Sequence, residues 1–166
     1  MNRLAWIPLV ALPAALAADT QPAATDFMTK AYEALRQRDY EAAVQWFERG
    51  LEQQPESVTA RKDLAYTLLK MGETTSARDQ MAEVIRQNPH DYQAALEYAY
   101  LCYETGRVAE ARRTFLRLKT EGPAEVQQAA ARAFQVIDDQ LEAGIQRWLE
   151  ALEKDPGNFS AHFELA

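Results

Sequence analysis

Apolar and polar positions follow one another along this chain at helical spacing, and the helices they mark come round again at a fixed interval. Leu64, Ala65, Leu68 and Leu69 form one apolar stripe, flanked by Arg61, Lys62 and Lys70. Val108, Ala111, Phe115 and Leu118 form another. Both are patterns of an amphipathic helix that buries one face. A longer period overlies the helical one. Ala31, Ala65, Ala99 and Ala133 recur every 34 residues, as do Tyr32, Tyr66, Tyr100 and Phe134, and as do Pro55, Pro89 and Pro123. Such self-similarity predicts a stacked array in which each unit buries its apolar face against its neighbours. It favours a binding surface over a catalytic centre.

Aligned on the prolines, the units span 24–57, 58–91, 92–125 and 126–158, the last being one residue short. Each predicts two helices around a tight break, at Arg38-Asp39, Gly72-Glu73, Gly106-Arg107 and Asp139-Gln140. Glycine readily takes the left-handed conformation that ends a helix, and Asp tolerates turns. Small residues fall where paired helices must approach, at the four alanines above and at Ala43, Ala77, Ala111 and Gly144. Bulky residues follow one turn later, at Phe47, Met81, Phe115 and Trp148. A small residue facing a large one is how a helix pair interlocks at native density. The prolines close each unit because they cannot continue a helix.

These markers resemble the tetratricopeptide repeat (TPR) family, specifically its exported, bacterial type, across nearly all of the chain after its first residues. The family pattern is a small residue in helix A, a small residue and an aromatic in helix B, and a closing proline. It reads Ala31, Ala43, Phe47, Pro55; Ala65, Ala77, Met81, Pro89; Ala99, Ala111, Phe115, Pro123; and Ala133, Gly144, Trp148, Pro156. The family's early Trp is replaced by Phe27, Arg61, Ala95 and Ala129. The resemblance implies an all-α, right-handed α-solenoid of stacked helix-turn-helix repeats. The residue missing near Asp138-Asp139 implies a fourth helix pair set at a different angle. Residues 159–166 read as the start of a fifth repeat or as a capping helix. The favoured expectation is a piece of a longer array. Docking of Phe163 and Leu165 on another chain is the alternative.

In the family, helix A lines a concave groove that takes a peptide or a partner helix. By that resemblance the groove here carries Tyr32, Tyr66, Tyr100 and Phe134. One turn later come Leu35, Leu69, Tyr103 and Ile137, and one turn earlier Met28, Lys62, Leu96 and Ala130. Aromatic rings give large contact area at low entropy cost; the same rings can equally pack between helices. Arg36, Lys70, Glu104 and Asp138 lie along the groove edge, positive in the first two units and negative in the last two, a polarity that can orient a partner. The candidate partner-binding residues are therefore Tyr32, Tyr66, Tyr100, Phe134, Tyr103, Lys62, Arg36, Lys70 and Glu104. A clamp for a C-terminal carboxylate, as some members use, is not expected. Tyr stands where that clamp has Asn, and Lys62 is its one remnant.

Composition narrows the class of partner. The chain has 166 residues, 48% apolar and 26% charged, with a net charge of −7, an ordinary soluble composition. An acidic balance argues against nucleic acid and against anionic lipid surfaces. Asn2 and Arg3, the apolar run Leu4 to Leu16 and Ala15-Leu16-Ala17 have the layout of a secretory signal peptide, residues 1–17, cleaved after Ala17 or Ala18 and followed by a short linker, 18–23. That run is shorter than the roughly 20 apolar residues that span a bilayer. The expected destination is the periplasm or the exterior, with no membrane insertion after cleavage. The lone cysteine, Cys102, sits at a periodic apolar position and reads as a small buried hydrophobe.

Chemistry-bearing signals are thin. His90 and His162 have no second ligand at metal-binding spacing, and no phosphate loop or nucleophile elbow is present. Asp138-Asp139 reads as a turn or cap, and Arg78, Arg112 and Arg113 as the solvated rim of the B helices. No catalytic residue, cofactor or metal site is expected. The reading is a scaffold that binds a protein or peptide. The alternatives are a spacer arm of a longer array and a polysaccharide-binding envelope component.

Overall fold

The computed structural model describes residues 22–165, all helix and connecting turn. The helices are α1 Pro22–Gln37, α2 Tyr40–Gln53, α3 Val58–Met71, α4 Thr74–Gln87, α5 Tyr92–Glu104, α6 Val108–Leu118, α7 Ala124–Lys154 and α8 Phe159–Leu165. Contacts run between helices adjacent in the chain, with a lesser one between α5 and α7. That linear connectivity defines an α-solenoid of stacked helix pairs. Residues 1–17, read above as a signal peptide, lie outside the described stretch, and α1 begins at Pro22, inside the segment read as a linker.

Three hairpins, α1–α2, α3–α4 and α5–α6, turn in the same way. Arg38, Gly72 and Gly106 carry φ of 60°, 82° and 79°. The next residue's amide donates back across the turn, Asp39 to the Ala34 carbonyl, Glu73 to Leu68 and Arg107 to Cys102, at 2.9, 3.0 and 2.8 Å. Arg38, Gly72 and Gly106 themselves donate to Leu35, Leu69 and Tyr103. This paired closure satisfies carbonyls that a helix end leaves open, and it needs one residue in the left-handed region. The start of the next helix is capped by side chains in α2, α3 and α5, where Asp39, Ser57 and Asp91 accept from the amides of Ala42, Ala60 and Ala94. Inside each hairpin the small and bulky markers meet. Ala31, Ala43, Phe47, Ala65, Ala77, Met81, Ala99, Ala111 and Phe115 are buried to within 1% of their surface. Cys102 is fully buried, and that burial raises its thiol pKa, so it packs as a small apolar group.

The fourth turn is absent. Instead of breaking at Asp139-Gln140, the chain continues as one 31-residue helix, α7. The alignment supplies the reason. Asp139 corresponds to Thr105 and Gln140 to Arg107, so the missing residue is the counterpart of Gly106, which holds the left-handed turn. Without it the paired closure cannot form, and the backbone hydrogen bonds of 124–138 run on into 140–154. Asp's tolerance of turns does not replace a deleted turn residue.

Candidate functional site

The A helices α1, α3 and α5 bring Tyr32, Tyr66 and Tyr100 to one face, each about two-fifths exposed, and Tyr103 joins them one turn along. The rings do two jobs at once. Tyr32 meets Phe47 edge-on at 5.5 Å, and Tyr100 meets Phe115 likewise at 5.0 Å. One side of each ring thus seals the hairpin core while the other stays open. Phe134 departs from this row. It is 7% exposed and meets two cations, with the Arg112 guanidinium 4.9 Å and the Lys119 ammonium 4.8 Å from its ring. It is core at the α6–α7 contact rather than groove lining.

The tyrosine hydroxyls are tied to the next unit. Tyr32 Oη donates to Asp63 Oδ2 at 2.5 Å and Tyr66 Oη to Glu97 Oε2 at 2.7 Å. Burial of the ring and then the bond to Asp63 push the Tyr32 phenol up to about 12. The same two causes, with Glu97 as the acceptor, raise Tyr66. The acceptors themselves recur at 34-residue spacing, and the third place in that series is Ala131. Tyr100 accordingly has no carboxylate to reach, and its hydroxyl is free among the described residues. Beneath it lies a cavity of about 280 Å³ lined by Tyr100, Tyr103, Phe115, Arg132, Ala133, Val136 and Ile137. Tyr103 Oη reaches Gln140 Oε1 at 3.5 Å.

The charged candidates divide. Lys62 is half-buried and pairs with Asp91 at 3.0 Å. Asp91 is the N-cap of α5, and although burial acts against it, the bonds from Ala94 and Lys62 hold its carboxyl below its ordinary value. Lys62 is thereby committed to the frame. Arg36 faces Glu33 at 3.8 Å. Lys70 and Glu104 are exposed. Asp138 is neutralised by Arg112 from α6, so the edge polarity survives mainly at Lys70 and Glu104. Arg78 departs from the expected solvated rim. It is 5% exposed and bonds Asp79 and, at 2.9 Å, Thr105 Oγ1 across the unit boundary.

Tyr98, not singled out by the sequence reading, is buried and donates to Glu110 Oε1 at 2.5 Å. Arg132 beside the cavity was likewise missed. The recurrence of acids at Asp63 and Glu97 was the available signal for the tyrosine ties. His90 lies 3.4 Å from its near neighbour Tyr92 Oη, and His162 lies 3.0 Å from the Pro156 carbonyl. Among the described residues no group of three or more His, Cys, Asp or Glu could hold a metal ion, and no helix is long and apolar enough to cross a membrane. What this face offers is shape, aromatic area and hydrogen bonding.

Residues 34–86 and 62–126 match two models of the tetratricopeptide repeat. Together they cover more than half of the chain, which belongs to the tetratricopeptide repeat family. No curated protein sequence matches it. Solved structures share its fold at low identity. The MamA protein has a TM-score of 0.63 at 14% identity, over 86% of this chain and 78% of that one. The type III secretion translocator chaperone SycD of Yersinia enterocolitica has a TM-score of 0.58 at 15% identity, over 71% and 85%. The first TPR of Spaghetti (RPAP3), bound to HSP90 peptide SRMEEVD, has a TM-score of 0.56 at 16% identity, over 75% and 96%.

Proposed function

We propose that this protein is a non-catalytic adaptor that binds a segment of a partner protein along the tyrosine face of its A helices, after export to the periplasm. The observation that carries the reading is the row of half-open rings at Tyr32, Tyr66, Tyr100 and Tyr103. A row of apolar rings with polar tips suits a peptide, which offers side chains to the rings and backbone groups to the hydroxyls. The neighbour bound to an HSP90 peptide lends the fold a precedent for that mode. Tyr100 is the strongest contact in this reading, since its hydroxyl is unengaged and a cavity opens beneath it. Lys70 and Glu104 set the direction of the bound segment. The apolar start of the chain supplies the export signal.

A crosslinking pull-down from envelope extract tests this, comparing the native chain with a folded Tyr66→Ala/Tyr100→Ala variant. The expected result is one protein captured by the first and lost by the second. Equal capture by both, or capture of nothing, overturns groove binding.

A further inference from the structure

We propose that the open fourth unit closes by exchange between two copies of this chain, so that the straight helix α7 pairs antiparallel with α7 of a second copy. In the three closed hairpins the marker residues are sealed. In the fourth they are all present and none has met its partner. Ala133 is only half-buried, where Ala31, Ala65 and Ala99 are fully buried. A Cβ added at Gly144 would meet nothing within 4 Å, where Ala43, Ala77 and Ala111 are fully buried. Trp148 is half-buried, where Phe47, Met81 and Phe115 are sealed. Leu141, Ile145 and Leu149 are 49%, 38% and 43% exposed.

This open stripe continues an interface that already exists. Phe134 and Ile137 are buried at the start of the same face, where α7 meets α5 and α6. The spacing runs on without interruption through Leu141, Ile145 and Trp148. The occupant that fits is the one the sequence already encodes, namely residues 124–138 against residues 140–154. A shortened hinge keeps one chain from folding back on itself, and it is the standard cause of exchange between copies. In the exchanged pair, the part of 124–138 that α5 and α6 leave open, at Ala133 and Val136, packs on 140–154 of the other chain, and the reverse. The contact is isologous and closes on itself, giving a dimer rather than a filament. Its two-fold axis falls at Asp138-Asp139. There Arg112 already neutralises Asp138, and Asp139 accepts from Gln135 at 2.5 Å. Each helix is about 46 Å long at 1.5 Å per residue, so both marker sets seat together along one seam.

The test is the mass of the purified chain by light scattering across a dilution series, beside a variant with one Gly inserted between Asp139 and Gln140. The insertion restores the turn residue. The native chain is expected at twice its single-chain mass, and the insertion variant at a single chain mass with undiminished helix content. A native chain of single mass throughout, or an insertion variant that stays doubled, overturns the proposal. A second variant guards against misfolding by the insertion. In a Cys102→Ala background, Ala133→Cys and Gly144→Cys are combined and oxidised. Exchange predicts a disulfide between chains, seen as a doubled band without reductant. A bond within one chain, or no bond at all, overturns it.

Discussion

The third and fourth units of this protein are close relatives in sequence and differ in structure by a whole turn. From Ala99 to Phe115 the chain folds back through Gly106 and buries every marker; from Ala133 to Trp148 the same markers lie along one straight helix. Apolar patterning is equally good in both. What separates them is a single backbone position able to take positive φ. The stripe therefore selects what a helix can pack against. The turn residue decides whether the partner comes from the same chain.

The sharpest way to break that comparison is at the bulky marker. Phe115→Ala removes a sealed ring and is expected to cost about 3–5 kcal/mol in denaturant unfolding. Trp148→Ala, at the same register position, is expected to cost about 1 kcal/mol when measured at high dilution. Equal losses would mean that the fourth unit closes within one chain. The small marker gives the next effect. Ala99→Leu is expected to destabilise by about 1–3 kcal/mol through overpacking. Gly144→Ala, measured at the same high dilution, is expected to stabilise by about 0.5–1 kcal/mol, because it adds helix propensity in open space. Destabilisation by Gly144→Ala would place a close neighbour against it.

The smallest effect is the part of the pH dependence that the first two units contribute. The phenols of Tyr32 and Tyr66 are raised above their ordinary 10.0, Tyr32 to about 12. Below pH 10 both folded and unfolded chains hold these protons, and the contribution is fully present. Between 10 and 12 the unfolded chain releases them first, so it binds fewer protons and stability falls as pH rises. The Tyr32→Phe/Tyr66→Phe variant should show a shallower loss of melting temperature across that window. An identical slope would dissociate the hydroxyls from Asp63 and Glu97.

Most of the array was legible from spacing. The 34-residue period anticipated the six helices of the first three units, and the breaks at Arg38, Gly72 and Gly106 fall where the backbone turns. The fourth break was misplaced for a physical reason. Counting showed a residue missing, but only backbone angles show that the missing one carries the turn. The site was partly legible. Periodicity aligned Tyr32, Tyr66 and Tyr100, yet could not tell that Phe134 would meet Arg112 and Lys119, since those cations lie on α6 and at its C-terminal end. Arg78 was lost in the same way, because its partner Thr105 belongs to the following unit. Contacts that cross units obey no helical period and leave no stripe.

The bonds from Tyr32 to Asp63 and from Tyr66 to Glu97 have a mechanical meaning. They are cross-ties between successive A helices; Ala131 leaves the next joint without its carboxylate tie, and only the longer bond from Tyr103 to Gln140 spans it among the tyrosines described. An array held at its two ends would be stiff over its first three units and compliant at the junction of α5 with α7. Under load it would lengthen there first, at the joint where the cavity lies, so tension on the chain would be felt by whatever sits beneath Tyr100.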